Sequence, residues 1–460
     1  MSTSETPTRS WPDYRAVWRW HFYAGLFCIP FVILLSVTGA IYLFKEEIEA
    51  RLDAPVDSLS ITRREPIAEQ VRVAVAAFPG ATFQSYELPR TPTSATRVLL
   101  SDGGETRRVY LQPETLAVLT STLERDRLMR VMFRLHGELM LGDRGSNIVE
   151  LAASWTLVML LTGLFLWWPR NSRSWAGVVY PRLAAGGRVF WRDLHGVTGF
   201  WIVGLAVFLI ASGLPWAKFW GDYFKTVRRW TGTAVARADW ANSSRAKASD
   251  GEHSGHSSGG ETGRRGRRPN ASADLTQIDK VVAAVEPLGL AHPVLVGPGN
   301  QPGQWSVKSM TGNRPQRVTL TVDGATGEIL KRDGFAERHV IDKAVSIGIA
   351  AHEGRLFGLA NQLLGVVTCL GLILLSGSGV WMWLRRRDPG GLGAPRPGID
   401  PRWSWGLLAV IAMLAAYVPL FGVTVVATYL CDRFVLAHIP RLNSWLGLRV
   451  ATASDPGGVP

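Results

Sequence analysis

The sequence predicts an integral membrane α-helical bundle, a four-helix core built from two repeats plus a fifth span, carrying two α+β domains outside the membrane. Three observations predict it: a shortage of charge, five long apolar runs, and histidines and glycines that recur at constant offsets. Of 460 residues, 47% are hydrophobic and 19% charged, against about 25% charged in an ordinary soluble domain. Mean hydropathy is only +0.09, so membrane spans must alternate with water-facing segments. The 19 Trp suit membrane interfaces, where indole rings are enriched. This composition excludes a disordered protein, a secreted disulfide scaffold and a fully soluble enzyme. The cysteines, Cys28, Cys369 and Cys431, lie in or beside apolar runs. No pair of them has metal-ligand spacing, and no C-x-x-C-H for covalent haem attachment occurs.

A helix needs about 20 apolar residues to cross a bilayer. Residues 21–44, 148–168, 195–216, 359–384 and 405–430 meet that length. The first run is too long for a signal-peptide core and reads as a retained anchor. Basic residues set the orientation. Arg15 and Arg19, then Arg182, Arg188 and Arg192, then Arg385, Arg386 and Arg387 all fall on one side if five spans alternate, and that side is cytoplasmic. Residues 1–20, 169–194 and 385–404 are therefore expected inside, and the C-terminal tail 431–460 outside. The net charge of +13 is largely topological, so no nucleic-acid partner is expected. The partner implied throughout is the lipid bilayer. Outside lie an α+β domain at 45–127, an interfacial helix at 128–147, a second α+β domain at 217–345 and an interfacial segment at 346–358. The tract 236–272, rich in Ser, Gly and Arg, reads as a disordered insertion. Its His253 and His256 are too little for a metal site.

The chain repeats itself. His21, Gly25 and Gly39 recur as His195, Gly199 and Gly213, each 174 residues on, and Thr38 matches Ser212. His136, Gly142 and Gly163 recur as His352, Gly358 and Gly379, each 216 residues on, and Trp167 matches Trp383. The outer segments repeat as well. Leu320–Leu330 reads as strand, tight turn, strand, and Tyr110–Leu119 has the same shape with weaker turn residues. Each copy has a helix-like stretch upstream, at Ile67–Phe78 and Leu275–Leu288.

Ionisable residues at membrane depth point to function, and a neutral imidazole is a good axial ligand for haem iron. His21 and His195 begin spans at the inner face, whereas His136 and His352 lie just outside spans at the outer face. Each pair takes one member from each half of the repeat. That arrangement suits two bis-histidine haem b groups, an inner one on His21 and His195 and an outer one on His136 and His352. Gly25 and Gly199 lie one helical turn beyond their histidines, on the same face. Gly39 and Gly213 lie five turns beyond, about 27 Å along the axis. Each helix thus offers a flat macrocycle a smooth surface near both membrane faces. Small residues on one face also serve close helix packing.

The turn Val322–Leu330 resembles the end of a PepSY domain. The runs Leu194–Gly199 and Leu161–Arg170 resemble the PepSY-associated transmembrane family of iron-regulated bacterial inner-membrane proteins. The resemblance covers about residues 15–388. The first copy departs from it, with Gln112 and Leu116 where Asp and Gly are expected. The resemblance implies two periplasmic PepSY-like domains, and a haem-dependent oxidoreductase passing electrons outward to a ferric siderophore for iron uptake. No catalytic acid, base or nucleophile is required for this chemistry. No dinucleotide fingerprint is visible, so the electron donor is external, a quinol or a cytoplasmic flavin reductase. Two readings of other classes compete. One is a siderophore or iron permease without haem. The other is a non-catalytic regulator whose PepSY-like domains bind a periplasmic protein.

Overall fold

The computed structural model describes residues 14–169, 174–233, 274–387, 389–395 and 405–448. The expected insertion at 236–272 lies outside the described residues. Along the chain run α1 (Tyr14–Tyr42), α2 (Lys45–Asp57), α3 (Ile67–Ala76), β1 (Thr82–Glu87), β2 (Thr96–Asp102), β3 (Glu105–Leu111), β4 (Val118–Leu123), α4 (Leu128–Glu138), α5 (Asp143–Trp167), α6 (Gly187–Gly213) and α7 (Lys218–Trp230). There follow α8 (Ile278–Val285), β5 (Val294–Pro298), β6 (Gln304–Ser309), β7 (Thr319–Asp323), β8 (Ile329–Asp333), α9 (Val340–His352), α10 (Leu359–Arg386), α11 (Trp405–Tyr417), α12 (Pro419–Phe434) and α13 (Pro440–Leu446). They divide into two compact units. One holds residues 1–40, 135–227 and 364–460, and the other holds 41–134 and 228–363.

The first is the membrane unit. Among the described residues, α1, α5, α6 with the turn after it, and α10 are long and apolar enough to cross a bilayer. The chain is a multi-pass membrane protein. The expected fifth span at 405–430 needs correction. It is broken at Val418 into α11 and α12, of 13 and 16 residues. At 1.5 Å per residue these are about 20 and 24 Å long, short of the ~30 Å hydrocarbon core. They form a helical hairpin. At the break, the carbonyls of Tyr417 and Ala416 accept from the Trp220 indole and the Tyr223 hydroxyl of α7, and α7 follows directly on the end of α6. Beyond α12 the chain is back where α1 begins, because Tyr23 donates to the Leu446 carbonyl and Arg19 to that of Gly447. Leu446 and Gly447 therefore lie at the starting end of α1, away from the side expected for the tail, whose residues 449–460 lie outside the described residues. Proline causes no strain at the start of α12, where its missing N–H has no partner to lose.

The hairpin is held by side chains of α5 and α7. Trp155 packs edge-on against Phe421, with ring centres 5.4 Å apart, and its indole N–H donates to Thr424 at 3.2 Å. Glu150, on α5, accepts the backbone N–H groups of Phe219 and Trp220 at 3.1 and 3.0 Å. A carboxylate there satisfies orphan donors and complements the positive end of the α7 dipole.

The second unit is a single antiparallel sheet in the order β4-β3-β2-β1-β5-β6-β7-β8. The two separate α+β domains expected from the sequence are instead two four-stranded halves of one sheet. They join where β1 pairs with β5, Tyr86 opposite Val296 and Glu87 opposite Leu295. Helices α3 and α8, one from each half, share one core with the sheet, in which Val71, Val98, Val281, Val296, Val307 and Leu320 are fully buried. Each such side chain contributes roughly 1.5–3 kcal/mol by leaving water. The two turns are alike in geometry despite their sequences. Asp323 accepts from the N–H groups of Ala325 and Thr326, and Gly327 takes φ +80°. In the first half Gln112 accepts from Glu114 and Thr115, and Leu116 takes φ +61°. A left-handed leucine costs roughly 1–2 kcal/mol. Leu116→Gly is therefore expected to stabilise the protein by about 0.5 kcal/mol after the entropy of glycine is subtracted. Gly327→Ala should destabilise it by about 1 kcal/mol. Denaturant melts of the purified chain check both signs.

One buried carboxylate makes the sheet acid-sensitive. Burial pushes Glu87 up, but Arg108 and Arg97 outweigh it and hold its pKa below the ordinary value. Its contribution is present above the unfolded carboxylate pKa of about 4.3 and is lost as pH falls through the lowered folded value. Glu87→Gln should flatten the acid limb of a stability-versus-pH curve while lowering stability at pH 7.

Candidate functional site

His21 and His195 meet inside the membrane unit. Each sits about two turns into its helix, and each turns its ring onto a neighbouring span. His21 Nδ1 lies 3.0 Å from the Met159 carbonyl and 3.1 Å from the Thr162 hydroxyl of α5. His195 Nδ1 lies 3.1 Å from the Leu375 carbonyl and 3.0 Å from the Ser378 hydroxyl of α10. A carbonyl can only accept, so Nδ1 carries the proton in both rings and Nε2 carries the lone pair. The hydroxyl hydrogens point elsewhere, Thr162 donating to Val158 and Ser378 to Leu375. Each serine or threonine oxygen is thereby left to accept from its histidine.

Glycine gives the His21 ring its room and leaves the His195 ring an ordinary contact. A Cβ on Gly163 would stand 3.2 Å from Cε1 of His21, and one on Gly379 would stand 3.5 Å from Cε1 of His195. The contact residues obey the same repeat as the histidines, since Met159, Thr162 and Gly163 match Leu375, Ser378 and Gly379 at an offset of 216.

The two imidazole centres are 6.2 Å apart with their planes at 89°. A metal–imidazole bond is about 2 Å, so two rings on opposite sides of one metal have centres about 6 Å apart. At that spacing His21 and His195 could together hold one metal centre between them. Among the described residues no group of three or more His, Cys, Asp or Glu could hold a bare metal ion.

His136 lies on α4 and reaches the other end of α1. Its Nδ1 is 3.0 Å from the Thr38 hydroxyl, which donates to Leu34 on its own helix. A Cβ on Gly39 would stand 3.2 Å from Cε1 of His136. Gly39 therefore backs a histidine, where the sequence suggested a smooth surface for a macrocycle. The corner that follows α4 is tight, with Leu139, Met140 and Gly142 all at positive φ. His352 ends α9 in the sheet unit. Gly213 ends α6, next to Ser212. Gly25 and Gly199 face Met159 and Leu375, where an added Cβ would make ordinary contacts at 3.8 and 3.6 Å.

Sequence reasoning placed Gly163 and Gly379 in the repeat without a role and did not single out Thr162 or Ser378. The available signal was a hydroxyl residue followed by glycine in every span: Thr38–Gly39, Thr162–Gly163, Ser212–Gly213 and Ser378–Gly379. The repeated tryptophans have a role as well. Trp167 and Trp383 each donate to a carbonyl in the loop that follows, Val178 at 3.0 Å and Leu392 at 2.7 Å. They tie those loops to the ends of α5 and α10. Asp193, two residues before His195, pairs with Arg182 at 2.6 Å. That bond ties the segment between α5 and α6 to the helix that carries the histidine.

Gly163→Val is expected to force His21 off Met159 and Thr162 and to lower the melting temperature by several degrees, at roughly 1–3 kcal/mol of overpacking. Gly25→Ala should stay within about 0.5 kcal/mol of the parent. Thermal melts of the detergent-solubilised protein separate the two.

In comparison with known families, the model described as the PepSY-associated TM region aligns with residues 18–386. Comparison with curated proteins gives no match. The match covers most of the chain, which belongs to that family.

Proposed function

We propose that this member of the PepSY-associated TM family is a dihaem transmembrane electron conduit. It reduces a ferric siderophore in the periplasm of a bacterium and so frees Fe(II) for uptake. One observation carries the proposal. His21 and His195 stand 6.2 Å apart with perpendicular planes, and each is fixed through Nδ1 so that Nε2 is the ligating nitrogen. Haem b, when bound, supplies a reversible Fe(III)/Fe(II) couple. His21 and His195 would hold the inner haem, and the repeat carries the same assignment to His136 and His352 for the outer one. The chain's own part is to orient these rings, and to keep water from them with apolar spans.

The substrate's chemistry fits a one-electron step. Siderophore oxygens are hard ligands that favour Fe(III), so reduction to Fe(II) loosens the chelate. No acid–base group is needed for that release. The electron donor would be a quinol or a cytoplasmic flavin reductase.

The test is an absorption spectrum of the purified protein, oxidised and dithionite-reduced, with haem counted per chain. Two low-spin b-type haems are expected, reoxidised on adding a ferric siderophore. His195→Ala should lose one haem and still insert in the membrane. A colourless protein, made with ample haem, would overturn the proposal in favour of a permease or a regulator. Full haem content in His195→Ala would overturn the pairing.

A further inference from the structure

We infer that three hydroxyl–glycine pairs, Thr38–Gly39, Thr162–Gly163 and Ser378–Gly379, are histidine cradles, and that Thr38, Thr162 and Ser378 are positioning residues for the histidines they touch. The geometry stands without any cofactor. Its consequence for redox potential rests on the haem reading above.

Three cradles are seen directly. Thr162–Gly163 receives His21, Ser378–Gly379 receives His195 and Thr38–Gly39 receives His136. In each the hydroxyl hydrogen is committed to a carbonyl three or four residues earlier in its own helix. The oxygen can then only accept, and it takes the Nδ1 proton of a histidine on another helix. At Gly163 and Gly39 an added Cβ would crowd Cε1 of the histidine at 3.2 Å, and at Gly379 it would make an ordinary contact at 3.5 Å. Alanine in place of serine or threonine would delete the acceptor. The fourth pair, Ser212–Gly213, shows the same internal bond, from Ser212 to the Phe208 carbonyl at 2.7 Å. Two functions follow from one dipeptide: it selects the Nδ1–H tautomer, so that Nε2 is the ligating atom, and it fixes the direction of the ring. An acceptor on Nδ1–H also makes the imidazole a stronger donor, which favours Fe(III) and lowers the potential.

The experiment uses the full chain with 15N-labelled histidine, dithionite-reduced so that a low-spin iron is diamagnetic. Thr38→Val preserves shape and deletes the acceptor. In the parent the His136 resonances should report Nδ1–H. In Thr38→Val that signature should weaken, and one reduction step should move to higher potential. Thr38→Ser should restore both. Should Thr38→Val fail to fold, Thr38→Ala replaces it with the same expectation. An unchanged tautomer in the variant, with haem present or absent, overturns the cradle. A changed tautomer with unmoved potentials upholds the cradle and removes His136 from the haem ligands. A parent that binds no haem defeats the proposed function, and the tautomer still decides the cradle.

Discussion

The membrane unit depends on a bond between spans, the Nδ1–H of a histidine given to a carbonyl or hydroxyl of its neighbour. In an apolar interior an unpaired imidazole N–H is costly, so a ring must find an acceptor. Helix carbonyls are normally spent within their own helix. Met159 and Leu375 nevertheless accept from His21 and His195, through the second lone pair of each oxygen. The same contact that holds α1 to α5, and α6 to α10, therefore decides which nitrogen of each ring is left to work. Packing and chemistry are set by one hydrogen bond, and the two halves of the repeat each contribute one copy.

Much of this was legible in the sequence. Four span-length helices and the helix and strand pattern of the segments between them follow from hydropathy, and the offsets of 174 and 216 single out the four histidines without deciding which faces which. What hid the cradles is that Thr–Gly and Ser–Gly inside an apolar helix look like ordinary close-packing residues. Their meaning appears only when a ring from another helix is seen on top of them. The hairpin escaped because an apolar run reports its length and not a reversal of direction. Residues 405–430 are continuous in hydropathy across Val418, and only the contacts of Tyr417 and Leu446 reveal that the chain turns back.

The sheet illustrates another limit. Each half advertised itself through its strand–turn–strand pattern, but the β1–β5 pairing joins residues over 200 positions apart, and no local signal encodes it. The first turn was read as a departure from its family because Gln112 and Leu116 replace Asp and Gly. Gln112 performs the task of Asp323 with a longer side chain, and Leu116 adopts the left-handed backbone at an energetic cost. Similarity of geometry outlasted similarity of residues, which is expected where a turn is over-determined by the strands on either side.

The hairpin of α11 and α12 also alters the parity of the chain. Four span-length helices followed by a hairpin that doubles back make an even path. Residues 445–447 accordingly finish beside Arg19 and Tyr23, near the start of the first crossing. The family match stops at residue 386, so this addition lies wholly beyond it. The two ends of the described chain lie side by side, and a domain appended after the hairpin would stand next to one placed ahead of α1.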